Sequence, residues 1–408
     1  MPWDVSRRVF LKGAGLLALG VGAQPSSLLV RMAEAAGAGS TVLVKVFLRG
    51  GADGLNLCAP HGEAEYYDLR GDIALPRPGG SGGLVNLDGF FGLHPALAPL
   101  KPLYDDRRLA FVHAVGSYGL GRSHFAAQDF TETGTPGVQS TATGWLDRTI
   151  ARIPGSPVTE AVAFSALLPR SFLGPEPVLV VEDLESFDLV ARNWRDEADV
   201  LVRALYQQDL SGTGTAAREA FAAIDSLRSR PEIQAPPANG AQYPDAPVGR
   251  SLRQAAQVLK AGLGTRCVYV NVTGAFDTHA NQLPANAADY GALGSALAAF
   301  DMDLGGRRDD VVVLVTTEFG RTAAVNGSQG TDHGSAHCMI VLGGRVRGGR
   351  VAGSWPGLAR SQLFEERDLA VTTDYRDVYA ELARAHLGIA DAASLFPGYT
   401  PGPGPGVV

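Results

Sequence analysis

Asp53, Asp277, His279, Glu318, Asp332, His333 and His337 offer carboxylate oxygens and imidazole nitrogens, with no cysteine among them. That donor set suits Zn²⁺, Mn²⁺, Mg²⁺ or Ca²⁺. One ion needs fewer ligands than this, so the expectation is two divalent ions sharing a bridging carboxylate, the clamp used for in-line displacement at a phosphoryl group. Ser123 reads in two ways: as a nucleophile beside such a centre, or as a helix N-cap accepting a backbone N–H. Arg122 and Arg321 are candidates to hold an anionic ester through bidentate contacts, or else make surface pairs. The ligands have plainer readings too. Asp53 suits the cap of a helix starting near Gly54, and Glu318 suits a pair with Arg321 on a first helical turn. His124 and His113 carry the weakest signals, and His113 lies inside an apolar run and reads as core. His61, His94 and His386 lack acidic company and read as structural.

Their place in the pattern is what should bring these residues together. Apolar, β-branched runs at 41–48, 109–115, 178–181, 266–272, 310–316 and 338–342 read as buried parallel strands. Helical patterns at 94–104, 197–208, 216–227, 252–263, 289–304 and 376–386 lie between them. The alternation predicts a three-layer α/β/α sandwich around a mostly parallel sheet. Stretches 76–83, 134–143 and 231–248 are rich in Gly, Pro, Ser and Thr and read as surface excursions. Nothing divides 36–396, so one α/β domain is expected, with the Gly-Pro segment 397–408 as an extended, poorly ordered tail.

Nearly every apolar run ends in a polar cluster. The first runs into Arg49-Gly50-Gly51-Ala52-Asp53, the second is followed by Gly121-Arg122-Ser123-His124, and two others end in Phe276-Asp277-Thr278-His279 and Glu318-Phe319-Gly320-Arg321. Gly330-Thr331-Asp332-His333-Gly334 leads through His337 into the last run. In an open parallel sheet, loops at the carboxyl ends of the strands converge on one crevice, so five such clusters predict a single site. Gly50, Gly51, Gly330 and Gly334 would let backbone approach closely there.

Composition bounds the rest. The 408 residues carry a net charge of -7, with 45% hydrophobic and 19% charged residues, which fits a mildly acidic soluble chain and excludes a nucleic-acid surface. Three cysteines without C-x-x-C spacing permit at most one disulfide and argue against a thiolate zinc site. Ser6-Arg7-Arg8-Val9-Phe10-Leu11-Lys12 precedes a short apolar run that stops at Pro25, and Ala33-Glu34-Ala35-Ala36 offers an A-x-A cleavage site. Residues 1–35 therefore read as a twin-arginine signal. The translocase of that route is an expected partner, the mature chain is expected in the periplasm or outside the cell, and no stable transmembrane segment is expected after processing.

Phe47 to Asn56, Gly121 to Phe125, Phe276 to Gln282, Thr317 to Thr322, Gly330 to Gly334 and Thr372 to Arg376, with the twin-arginine leader, together resemble a bacterial family of exported proteins built on a domain of unknown function. That family is grouped with the alkaline phosphatase and sulfatase superfamily. The resemblance implies an alkaline-phosphatase-like fold and a metal-dependent hydrolase acting on phosphate, or less readily sulfate, esters. It implies Asp53 as a metal ligand, Ser123 in the nucleophile's place, Asp277 and His279 on one ion, and Asp332 and His333 on the other, with His337 as a late ligand. Two departures stand out. The D-x-H spacing of Asp277 and His279 is tighter than in many superfamily members, and Gly62 in Cys58-Ala59-Pro60-His61-Gly62 replaces the arginine of a sulfatase signature. A metal-stabilised binding protein without turnover is the rival reading.

Overall fold

Alternation along β1 (Val42–Arg49) sets the architecture: Val42, Val44, Val46 and Leu48 enter one apolar core, while Leu43 and Phe47 enter another. Helices Pro247–Lys260 and Gln282–Leu304 close the first core, and Trp145–Ile150 and Tyr375–Ala385 close the second. The sheet thus lies between two helical layers. This computed structural model describes residues 41–153, 161–184 and 229–408, together with 200, 203–209 and single positions up to 227. Segment 1–35, read above as an export signal, lies outside the described residues, and the helical patterns at 197–208 and 216–227 lie partly outside them.

The short strands β2 (Cys58–Ala59), β3 (Val85–Asn86) and β4 (Gly92–Leu93) form a small separate sheet. The large sheet comprises β1, β5 (Leu109–Gly116), β6 (Ala161–Phe164), β7 (Leu179–Val181), β8 (Cys267–Thr273), β9 (Val311–Thr317), β10 (His337–Gly343), β11 (Arg350–Ala352) and β12 (Thr373–Asp374). Its order is β11-β5-β10-β9-β1-β8-β6-β7, with β12 also paired to β5. Leu48 sits opposite Val272 in β8 and Thr317 in β9, so these three parallel strands end level and deliver their loops to one edge.

One strand departs from the expected direction. β10 runs antiparallel to both β5 and β9. The connection from Thr317 to His337 contains no helix to carry the chain back across a face, so the chain reverses at the carboxyl edge itself. Asp332 and His333 lie in this reversal, which keeps them at the edge where the parallel strands end. The tail also differs from its expectation. Val407 is fully buried, and Gly406 and Val408 donate backbone N–H groups to Glu381, so 397–408 docks on the Tyr375–Ala385 helix. Among the described residues no helix is long and apolar enough to cross a membrane.

On the second face, between Leu43 and Phe47, β1 buries Lys45. Its Nζ donates to Ser171 Oγ at 3.0 Å and lies 5.0 Å from the Phe47 ring centre and 5.5 Å from those of Trp145, Tyr269 and Tyr379. Burial lowers its pKa to about 7, with Glu132 pulling weakly the other way. The folded state therefore binds fewer protons than the unfolded chain between about 7 and the ordinary 10.5, and the lysine's contribution makes stability rise with pH across that window. Lys45→Met is expected to stabilise the protein by about 1 kcal/mol below neutral pH, read from urea midpoints.

Candidate metal centre

Asp277, just past β8, is the hub of the carboxyl edge. Its Oδ1 lies 3.0 Å from His279 Nε2 and 3.0 Å from His333 Nε2, and its Oδ2 lies 3.3 Å from His124 Nε2. The other nitrogen of each ring is fixed from behind. His124 Nδ1 is 2.8 Å from Glu318 Oε1, His279 Nδ1 is 2.9 Å from Asp332 Oδ1, and His333 Nδ1 is 2.8 Å from the Arg122 carbonyl. Carboxylates and carbonyls only accept, so each Nδ1 donates to its partner, and each Nε2 is left pointing at the Asp277 carboxylate, where a cation could take the place of its proton. His279 Nε2 and His333 Nε2 are 3.0 Å apart, which two lone pairs tolerate only with a cation or a proton between them. His124 Nε2 is buried, and Asp277 Oδ2 at 3.3 Å is the charged group it faces.

Imidazoles that bind metals are oriented in this way, by a carboxylate or carbonyl on the far nitrogen. His124, Asp277 and His333 offer ligand atoms within 4.8 Å of one another, and His279 adjoins two of the three. The residues fit a divalent cation. Asp277 and His279 are 45% and 46% exposed, so the centre is open on one side.

Glycine geometry and buried charge hold the arrangement. Gly51 has φ +65°, and a Cβ there would come within 2.5 Å of the Phe319 ring; at Gly330 it would come within 2.3 Å of the His279 backbone. Glu318 is fully buried and accepts from Gly50 N at 2.9 Å, Gln128 Nε2 at 2.9 Å and Thr317 Oγ1 at 2.8 Å, besides His124. Burial opposes its ionisation, but the bonds from His124, Gln128 and Thr317 prevail and hold its pKa to about 2. The bond to Glu318 raises the His124 pKa above its ordinary value, against burial. Burial likewise opposes ionisation of Asp277, yet Arg321, His333 and His124 bring it down to about 2. The bond from His279 lowers Asp332.

Residues 106–396 match the family model described as "Protein of unknown function (DUF1501)". The chain belongs to the DUF1501 family. No curated protein matches it significantly. Among solved structures, the C-terminal periplasmic domain of EcEptC from Escherichia coli, in complex with Zn, is similar at 10% identity over 80% of this chain and 77% of that one. Its TM-score of 0.33 is too low for that likeness to carry an argument.

Within this DUF1501 chain, the structure brings together Asp277, His279, Asp332, His333 and, from behind, Glu318. It does not bring Asp53 there. The Asp53 carboxylate caps the Gly54–Leu57 helix through Leu55 N at 3.1 Å and accepts from Arg70 at 2.5 and 2.9 Å and from Gln282 at 2.5 Å. These bonds leave the buried carboxylate no role at the centre. Asp53→Asn is expected to cost about 3 kcal/mol in a chemical denaturation series, by stranding the buried Arg70, while bound metal stays unchanged. His337 is also apart: it is buried at the start of β10, burial lowers its pKa to about 4, and its Nδ1 has no partner.

Both arginines expected to hold an ester are engaged. The Arg122 guanidinium binds Asp368 at 2.7 and 3.0 Å and Glu365 at 2.6 Å, and Arg321 is buried against backbone carbonyls and Asp277. Ser123 is the N-cap of the His124–Thr133 helix, yet its exposed side chain makes no capping bond. His124 is the member of this cluster that the sequence undervalued. Its signal was position: it opens a helix directly after a strand-end cluster, where a side chain borders the crevice.

Glu318→Gln is expected to weaken metal binding about 10- to 100-fold with the fold intact, measured by competition with a chelating dye. Protons compete for His124, so bound metal should fall as pH drops through that group's raised pKa. Dialysis at about pH 8 and about pH 5, followed by elemental analysis, checks the direction.

A second group, Cys58, His113 and Cys338, is buried on the first core. His113 Nε2 is 2.8 Å from the Cys58 carbonyl, and its Nδ1 accepts from Ala114 N at 3.0 Å. Both nitrogens are used, so this group reads as core. Cys58, Cys267 and Cys338 form no disulfide.

Proposed function

We propose that this protein is an exported, metal-dependent hydrolase of phosphate esters, less readily of sulfate esters, with one zinc-type ion at Asp277. The observation that supports it most is the convergence of the His124, His279 and His333 Nε2 atoms on one carboxylate, each ring held by an acceptor at Nδ1. An imidazole-rich set favours Zn²⁺ over Mg²⁺ or Ca²⁺, which take oxygen ligands. A bound ion would supply positive charge to an ester oxygen and lower the pKa of a bound water or hydroxyl. The chain's own residues do the rest. Ser123 borders His124 with its hydroxyl free of a capping duty, which suits a nucleophile. Glu318 and Asp332 keep His124 and His279 in the Nδ1–H tautomer, and Asp277 neutralises the ligand cluster. Two ions were the expectation, but Asp53 is locked to Arg70, so a second ion lacks its strand-end carboxylate. A purely structural ion would have closed ligands, whereas Asp277 and His279 face solvent. The leader at Ser6 to Lys12 makes the twin-arginine translocase the proposed export partner and the periplasm or exterior the proposed location.

Elemental analysis of protein purified without chelator or affinity metal, beside turnover of aryl phosphate mono- and diesters, tests the reading. About one equivalent of zinc with turnover supports it, and Ser123→Ala then separates serine from water as nucleophile. Metal without turnover of any ester would favour the binding protein. No metal, even after zinc is added, would sink the centre.

A further inference from the structure

A cleft of about 370 Å³ opens beside the metal centre, between the His124–Thr133 helix and the loop after β6. Three of its lining residues tie it to that centre. Phe125 follows His124 in the chain, Gln128 donates to the same Glu318 oxygen that holds His124, and Arg49 precedes Gly50, whose N–H also binds that oxygen.

The charges in the cleft are already matched to one another. Arg49 pairs with Glu132 at 3.1 Å and binds Gln128 and Asn271, and Arg170 pairs with Asp129 at 2.6 Å. A second ionic group on a ligand would find no unmatched partner among these residues. The apolar walls are different. Phe125 is 90% exposed and Leu167 is 67% exposed, large apolar side chains on separate segments that line one cleft. Leu168, Pro169 and Ala166 continue the Leu167 wall. Side chains of this kind gain most from a ligand that covers them, and the volume suits a ring or short chain.

We infer that this cleft is a subsite for the organic group of the substrate, so that the preferred ester carries an aryl or short alkyl group beside its anionic head. The inference rests on the metal centre as the place where the head is held. The head binds at Asp277 and the histidines, and the organic group lies between Phe125 and Leu167 over a floor of self-paired charges.

Titration of the zinc-loaded protein with methyl phosphate and with phenyl phosphate tests this without requiring turnover. Phenyl phosphate is expected to bind about tenfold tighter. The double variant Phe125→Ser/Leu167→Asn should erase that preference and leave methyl phosphate binding unchanged. Both positions are exposed, so the variant's melting temperature should match the parent's. Equal binding of the two esters by the parent, or a preference that survives the double variant, would overturn the subsite whatever the turnover assays show. A preference that is present and lost in the variant, without hydrolysis of any ester, would uphold the subsite and overturn the hydrolase reading alone.

Discussion

On the proposed zinc-hydrolase reading, Asp277→Asn is expected to lower zinc affinity at least about 100-fold and bring ester hydrolysis to background. That figure is a lower bound, because loss of a group that only orients a ligand already costs 10- to 100-fold. Asp277 does more than orient. Its two oxygens lie within 3.3 Å of three imidazole nitrogens and are the anionic charge among them. An amide in its place presents one neutral oxygen and an NH₂ group that cannot ligate a cation, so the charge that would hold the ion is lost. His124→Ala is the graded control, since it removes one nitrogen and leaves the carboxylate, so some affinity should survive. Elemental analysis and a dye-competition titration read both variants. Stoichiometric zinc in the Asn variant would show that the ion is held elsewhere.

Much of this was legible in the sequence. The runs at 41–48, 266–272 and 310–316 became β1, β8 and β9 within a residue at each end, because buried central strands are continuous apolar segments. Their polar termini met because parallel strands in register end level. Strands β6, β11 and β12 gave no such signal, being four residues or fewer and settled by pairing to neighbours already in place. The direction of β10 was hidden for a similar reason, since an apolar run looks the same in either sense and only the missing crossover helix decides. At the site, composition pointed to residue types able to act as donors but could not say which of them were already engaged. Asp53 has the right type and position, yet Arg70, 17 residues on, and Gln282, 229 residues on, claim its oxygens. His124 lacked an acidic neighbour in sequence and acquires two in space, Glu318 and Asp277.

Arg321 carries the largest expected stability effect. Its side chain is fully buried and donates to Gly50 O, to Gly51 O at 2.6 Å, to Phe276 O at 2.9 Å, to Thr331 O at 3.1 Å and to Asp277 Oδ1 at 2.6 Å. Those acceptors lie on the loops after β1 and β8 and on the reversal before β10, so one planar cation ties the segments that carry Asp277, His279 and His333 to the end of β1. Truncation to alanine would leave four carbonyls without this donor and a cavity among them. A loss of about 4 to 5 kcal/mol is expected, enough to unfold a marginal domain. Arg321→Lys keeps the charge but not the fork. A single ammonium with three donors cannot span acceptors set around a guanidinium, so more than half of that loss should remain. The lysine variant is the informative one where the alanine variant does not fold. Metal affinity should fall together with its denaturation midpoint, because Asp277 would no longer be fixed against the three rings. A lysine variant with an unchanged midpoint and undiminished zinc affinity would mean that the loops hold the centre without the guanidinium, and Arg321 would return to the candidates for contact with substrate.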